Sequence, residues 1–289
     1  MCIMSSGIYT NWMKTGILLS ILGGILLGIG FLIGGYNGLI VGFVFALLMN
    51  GLSYWFSDKI VLFMNRCKQV SEKDEPRLFY IVKDVSQRAN LPMPKVYIVP
   101  SMQANAFATG RNPKNAAVAC TQGILKLLSD DELKGVIAHE IAHVKNRDIL
   151  ISTIAATIAS VISFVGMMAR WSAFFGGSND DNRGGNIISL LVLGIITPIM
   201  AMLIQLAISR SREYLADETG ARIIKNPDAL ARALEKIDKS TSNVPLGINS
   251  PSTSSLYIAN PFKANRLMSL LSTHPPMELR VKKLRELKV

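Results

Sequence analysis

The sequence predicts a mostly α-helical membrane protein, with four transmembrane helices and a cytoplasmic α+β part that contains a small sheet. Four long runs of the 289-residue chain are apolar and almost uncharged, hydrophobic residues make up 49% of it, and its mean hydropathy is +0.32. The segments between these runs are charged and contain short β-type stretches and one helix that carries an H-E-x-x-H motif. The apolar runs predict the membrane part, and the charged segments predict the cytoplasmic part.

An N-terminal transmembrane hairpin is predicted over residues 1–56. The uncharged run that begins at Thr15 is too long for one span and is broken by a glycine-rich stretch around Gly35. We therefore expect two spans, at about 15–34 and 38–56, each close to the ~20 residues that cross a bilayer.

Residues 57–148 form the first cytoplasmic part. Their apolar periodicity and turn residues predict an amphipathic helix, then a small sheet, then the helix that carries the motif. Ser129 and Glu132 have the spacing of a capping box, which starts that last helix just before the motif. The earlier helix is expected at 76–90, and the three strands at 95–99, 104–109 and 115–120.

The second half of the chain repeats this alternation. A second transmembrane hairpin is predicted over 149–208, with spans at about 149–169 and 187–208. A cytoplasmic part follows over 209–289, with expected helices at 214–240 and 276–289.

Charge orients the spans. The formal net charge is +11, and 28 of the 31 Lys and Arg residues lie in 57–148 and 209–289. The positive-inside rule then places both of these segments and both termini in the cytoplasm. The three scattered cysteines do not form a disulfide framework, which agrees with a reducing compartment. No nucleic-acid-binding motif is present, so the basic charge favours a lipid bilayer as the partner.

His139, Glu140 and His143 form the H-E-x-x-H motif and are the most informative residues of the chain. Positions i and i+4 share one face of a helix, so both imidazoles can reach one metal ion. Glu140 lies beside them as the candidate general base. This residue set is the minimal apparatus for zinc-dependent hydrolysis of a peptide bond.

Glu213 is the candidate third metal ligand, because a catalytic zinc usually takes three protein ligands. The predicted hairpin 149–208 returns the chain to its starting point, which brings Glu213 close to the motif helix. The alternative is that Glu213 pairs with a neighbouring arginine on a solvated face. Asp217, one turn later, is the candidate acceptor for the free N–H of a ligating histidine, or otherwise an ordinary surface carboxylate.

These motifs resemble the HtpX-type membrane zinc metalloproteases, relatives of the CAAX prenyl proteases. The resemblance covers nearly the whole chain and rests on three segments: 105–110 (NAFATG), 138–143 (AHEIAH) and 211–217 (SREYLAD). It implies a zincin-like (gluzincin) catalytic domain with one Zn²⁺ per chain at His139, His143 and Glu213, and with Glu140 as general base. It also implies endopeptidase action on membrane proteins, in quality control and stress response at the cell inner membrane.

The same resemblance implies further roles. His274, in a Thr-His-Pro-Pro segment, would donate to the developing oxyanion, with Arg280 as possible support; the alternative for His274 is a plain loop residue. Asn105 and Ala106 would lie on an edge strand that pairs with the substrate backbone.

Two rival functions remain open at this stage. A prenyl-peptide protease would use the same chemistry on lipidated tails. An inactive membrane adaptor would bind clients without cutting, but such a protein would normally have lost a ligand or the base, and this chain keeps all of them. The sequence does not specify an oligomeric state.

Overall fold

The structure is a computed structural model that describes residues 2–146, 148–151, 154, 210–241 and 275–289. Within these ranges the chain is mostly helical, with one small sheet. The helices, in chain order, are α1 (Cys2–Met64), α2 (Pro76–Arg88), α3 (Gln122–Leu127), α4 (Asp130–Lys145), α5 (Arg210–Ile224), α6 (Pro227–Thr241) and α7 (Met277–Glu286). The strands are β1 (Lys68–Gln69), β2 (Lys95–Val99), β3 (Ala106–Gly110) and β4 (Ala116–Thr121).

The sheet has four strands in the order β1-β2-β4-β3. β2 and β4 are parallel, and β3 joins β4 as an antiparallel hairpin. Gly110 ends β3 with a φ of +137°, a backbone conformation that only glycine adopts easily, and a short 3₁₀ turn (Pro113–Asn115) then leads into β4. This order makes β3 an edge strand of the sheet.

Both faces of the sheet are covered. Along β4, Val118 and Cys120 belong to the main core beneath α2 and α4, whereas Ala117 and Ala119 point to the opposite side. On that opposite side, the end of α1 packs against the sheet through buried apolar side chains: Val61, Leu62, Val99 and Phe107. The alternation follows from the two-residue period of a strand. The apolar contacts on the second face hold the end of α1 against the edge strand.

The N-terminal helix α1 doubles back on itself. Gly35 has a φ of +55°, and a Cβ on Gly42 would lie only 2.7 Å from the carbonyl oxygen of Leu26. Residues this far apart in a straight helix would be separated by about 24 Å, so the chain must reverse between them. The reversal falls at the glycine-rich stretch between the two predicted spans.

Membrane crossing itself remains a prediction. Among the residues that the structure describes in full, no helix is long and apolar enough to cross a membrane. The predicted spans at 149–169 and 187–208 lie outside the described residues, apart from 149–151 and 154.

The sheet and the motif helix follow the sequence expectations closely. The strand expected at 95–99 has those bounds, and those expected at 104–109 and 115–120 are shifted by one or two residues. The capping box is present: the Ser129 side chain and the Glu132 carboxylate each accept from the other residue's backbone N–H, the second at 2.9 Å. β1 and α3 were not expected.

The segment expected to be helical at 214–240 is helical, but it is not one continuous helix. The chain forms two helices instead, because Lys225 adopts a φ of +57° and Pro227 begins a new helix. The side chain of Asn226 accepts a hydrogen bond from the backbone N–H of Ala229 at 3.1 Å, as an N-cap does. The tail helix is also shorter than expected, at Met277–Glu286.

Close packing of α5 against α4 depends on Gly220. A Cβ at this position would lie 2.9 Å from the backbone of Ala138 and His139. We therefore predict that Gly220→Ala lowers the free energy of unfolding by about 1–3 kcal/mol, the usual cost of overpacking. The measurement is denaturant or thermal unfolding of the purified chain.

Gly51→Ala is the matched control, because no described atom lies within 4 Å of a Cβ at Gly51 in α1. Alanine favours a helix over glycine by about 1 kcal/mol, so this control should be neutral or stabilising. A Gly220→Ala variant as stable as the parent would contradict the packing argument.

Candidate metal centre and active site

The motif helix α4 presents both histidines to one point. His139 and His143 lie one turn apart, and their rings meet edge to face at 87° with 4.7 Å between centroids. Their Nε2 atoms are 3.2 Å apart. His139 is 2% exposed, and the His143 side chain is 18% exposed. Two nitrogen donors therefore converge inside the fold, where a metal ion could bind them both.

Glu213 of α5 completes a triangle with these nitrogens. Its Oε2 lies 3.7 Å from Nε2 of His139, and its Oε1 lies 3.6 Å from Nε2 of His143. Glu213 is only 5% exposed, which excludes the solvated-face alternative. The ligand atoms of His139, His143 and Glu213 all lie within 4.8 Å of one another. Within the described ranges, no other set of three or more His, Cys, Asp or Glu residues brings its ligand atoms this close together.

The size of this triangle fits zinc. Zinc binds His nitrogen and carboxylate oxygen at about 2.0–2.2 Å with tetrahedral geometry, so ligand atoms around it lie about 3.3 Å apart. The three observed separations run from 3.2 to 3.7 Å. Two imidazoles and one carboxylate form a donor set typical of catalytic zinc, with one position left for water or substrate.

Asp217 and Arg280 support this triangle from behind. Oδ1 of Asp217 lies 2.9 Å from Nδ1 of His139, on the side of the ring away from Glu213. Arg280, from α7, donates to both carboxylate oxygens of Asp217 at 2.7 and 2.8 Å, and its Nη1 lies 3.4 Å from Glu213. Arg280 is fully buried and Asp217 is 3% exposed. Asp217 is therefore not an ordinary surface carboxylate.

Asp148 is a site residue that the sequence reasoning missed. Its Oδ2 lies 3.1 Å from Nδ1 of His143, and the residue is 4% exposed. Each histidine thus has a carboxylate at Nδ1 and turns Nε2 toward Glu213. An aspartate five residues after the second histidine, just beyond the expected end of the helix, was the available signal.

The candidate base Glu140 is fixed by the edge strand. Its Oε2 accepts a hydrogen bond from the backbone N–H of Ala108 at 2.8 Å. The carbonyl of Asn105 accepts from the N–H of Thr121 in β4 at 2.9 Å, so alternate residues such as Ala106 and Ala108 turn their backbone groups away from β4. The structure therefore brings the predicted edge strand and the predicted base together.

Electrostatics at the site reflect burial and close charges. Burial raises the pKa of Glu140 above its usual range, although His139 and His143 act in the opposite sense. Burial alone would lower the pKa of His143, but the carboxylates of Asp148 and Glu213 raise it to about 9. Burial alone would raise the pKa of Asp217. The adjacent Arg280 guanidinium outweighs this effect and holds the pKa of Asp217 below its usual range.

His274, the predicted oxyanion donor, lies outside the described residues. The described chain resumes at residue 275, and Arg280 follows on α7. The C-terminal segment therefore reaches the metal triangle through Arg280.

Comparisons with known proteins agree with this geometry. Peptidase family M48 matches residues 72–288, which contain all of the site residues described above. The chain is 53% identical over 277 residues to a protein named Protease HtpX homolog from Syntrophobacter fumaroxidans, covering 95% of this chain and 98% of that protein. A protein of the same name from Pyrococcus furiosus is 52% identical over 276 residues, which is 96% of each chain.

A solved structure shares the fold. The crystal structure of S. mikatae Ste24p matches this chain with a TM-score of 0.50 and 20% sequence identity. The match covers 97% of this chain and 67% of the Ste24p chain. At this identity the likeness concerns the fold alone. The matched family and the close relatives go further: the chain belongs to peptidase family M48, with the HtpX-type proteases, and is a metalloprotease.

Proposed function

We propose that this protein is a zinc-dependent endopeptidase that cuts misfolded or unassembled membrane proteins in their cytoplasmic segments. The observation that carries the zinc chemistry is the convergence of His139, His143 and Glu213 within 4.8 Å, directly beside Glu140. Two nitrogen donors, one carboxylate and an adjacent buried base match the requirements of metal-assisted hydrolysis.

His139, His143 and Glu213 would hold the zinc, which when bound would polarise water and the scissile carbonyl. Glu140 takes the proton of the attacking water and passes it to the leaving amine. The Ala108 N–H holds one oxygen of Glu140, which leaves the other oxygen for this proton transfer.

Substrate is bound as an added strand. The outward-turned backbone groups of Ala106 and the carbonyl of Ala108 on edge strand β3 would pair with an extended segment, because the Ala108 N–H already donates to Glu140; Asn105 lies just before that strand. Main-chain pairing gives affinity without requiring one sequence, which suits an enzyme that removes many different unfolded segments. His274 is proposed as the donor to the developing oxyanion.

The proposed setting is the cell inner membrane, with both termini and the active site in the cytoplasm. Support comes from the uncharged runs, from the distribution of Lys and Arg, and from the packing of the end of α1 against the sheet. The partners are then the lipid bilayer and membrane-protein substrates, in a quality-control and stress-response role.

Two alternatives are less well supported. An inactive adaptor would not need a complete donor triangle and a base fixed at 2.8 Å. A prenyl-peptide protease would share the chemistry, but no feature of the described residues favours a lipidated substrate.

We predict that Glu140→Gln abolishes proteolysis and leaves zinc bound. Glutamine keeps the size of the side chain and an oxygen for the Ala108 N–H, but it cannot take a proton. General-base loss typically lowers the rate by about 10²–10⁴-fold. The measurements are cleavage of an unfolded protein by the purified chain and zinc content by elemental analysis.

Glu218→Gln is the control, because Glu218 lies on the exposed side of α5, paired with Arg222 at 3.0 Å. It should cleave like the parent. Unchanged activity of the Glu140→Gln variant would refute the assignment of the base.

The proposed orientation can be tested by cysteine labelling. Cys2, Cys67 and Cys120 are replaced, and single cysteines are placed at Ser178 and Ser250. Residue 178 lies between the third and fourth predicted spans and should be outside, whereas residue 250 should be cytoplasmic. An impermeant maleimide applied to intact cells is therefore expected to label position 178 only.

Permeabilised cells provide the control, since both positions should then react. Labelling of position 250 but not of position 178 in intact cells would overturn the orientation and, with it, the proposed cytoplasmic site.

A further inference from the structure

The C-terminal end of α4 has a specific geometry. The helix ends at Lys145, and the N–H of its cap residue Asn146 bonds to the carbonyl of Ala142 at 2.8 Å. Two residues later, the N–H of Asp148 donates to the carbonyl of His143 at 3.2 Å. This bond joins the second residue after the helix cap to the third residue from the helix end.

That backbone bond determines where the Asp148 side chain lies. Because the backbone of Asp148 is tied to His143, its carboxylate is held against the same residue's imidazole, with 3.1 Å between Oδ2 and Nδ1. The next residue, Ile149, is 2% exposed and belongs to the main core. Its burial anchors the chain directly after Asp148, so the carboxylate is fixed on both sides.

The opposite side of the His143 ring faces the metal triangle. Nε2 of His143 lies 3.2 Å from Nε2 of His139 and 3.6 Å from Glu213. A neutral imidazole carries one proton, and the nitrogen without it is the metal donor. A carboxylate at Nδ1 keeps the proton there and leaves the lone pair of Nε2 free.

We propose that Asp148 is a positioning residue for the metal ligand His143: through the turn that ends α4, it fixes the tautomer and the orientation of that ring. It does not touch the metal or the substrate. The inference rests on the proposed function, since it requires that the triangle binds zinc. It adds a second histidine–carboxylate pair to the one formed by His139 and Asp217.

The test is the zinc affinity of Asp148→Asn. Asparagine keeps the backbone N–H that ends α4 and nearly the same side-chain volume, but it removes the anionic acceptor. Losing such a partner of a metal ligand typically weakens metal affinity by about 10–100-fold. We expect a loss of this size in competition with a chromophoric chelator, measured at a temperature at which the metal-free parent and variant are both folded.

Glu218→Gln, which also removes one carboxylate of the chain, serves as the matched control and should bind zinc like the parent. An Asp148→Asn variant that binds zinc within about twofold of the parent would overturn the inference. So would a variant whose metal-free form is destabilised while its zinc affinity is kept, because Asp148 would then act only on the fold. If the parent chain does not bind zinc, the proposed function itself fails. If the parent binds zinc and the Asp148→Asn variant binds it equally well, only the inference about Asp148 fails.

A second measurement uses the parent chain and does not depend on the variant folding. The sequence has only 3 histidines, so selective ¹⁵N labelling gives a spectrum that can be assigned by substitution. With zinc bound, we expect His143 to carry its proton on Nδ1, as a slowly exchanging resonance. A proton on Nε2 of His143 in the zinc-bound chain would contradict the proposal.

Discussion

Buried negative charge is the constraint on which the site depends. Four buried carboxylates surround the two histidines, namely those of Glu140, Asp148, Glu213 and Asp217. Among the residues that the structure describes, Arg280 and Arg212 bring guanidinium groups close to them. Burying an uncompensated charge costs several kcal/mol, so carboxylates concentrated in this way favour a positively charged group between them. A zinc dication between His139, His143 and Glu213 would supply such a charge, which agrees with the donor triangle.

Helix packing produces this concentration of charge. Gly220 lets α5 approach the backbone of α4 at His139, which brings Glu213 and Asp217 within reach of the histidine rings. α7 then adds Arg280, fully buried between the two acids. The site is therefore assembled from three helices that are distant in sequence, and its geometry depends on their close contact more than on any single motif.

The start of α4 and the shared face of its two histidines could be predicted from the sequence, because contacts between residues close in the chain determine them. The Ser129–Glu132 capping box set the start of α4, and the period of a helix put His139 and His143 on one face. Features set by tertiary contacts were harder to foresee. β1 has two residues and exists through its pairing with β2. Arg280 lies on a basic, surface-like helix, and nothing in its neighbours indicates complete burial.

Two signals were present in the sequence and were not used. Asn226-Pro227 has the composition of an N-cap followed by the first residue of a helix, and it separates α5 from α6. Asp148 follows His143 by five residues, a spacing that has meaning only once the end of α4 is known. Helix termini, which sequence patterns locate poorly, thus held part of the site.

The central claim is that His139, His143 and Glu213 together bind one zinc ion, and X-ray absorption at the zinc edge of the purified chain tests it most directly. The account predicts one zinc per chain, with only nitrogen and oxygen neighbours at about 2.0–2.2 Å. It also predicts scattering from two imidazoles, and the loss of one oxygen neighbour or of the metal itself in Glu213→Ala. A sulfur neighbour at about 2.3 Å, fewer than two imidazoles, or a spectrum that Glu213→Ala leaves unchanged would contradict it.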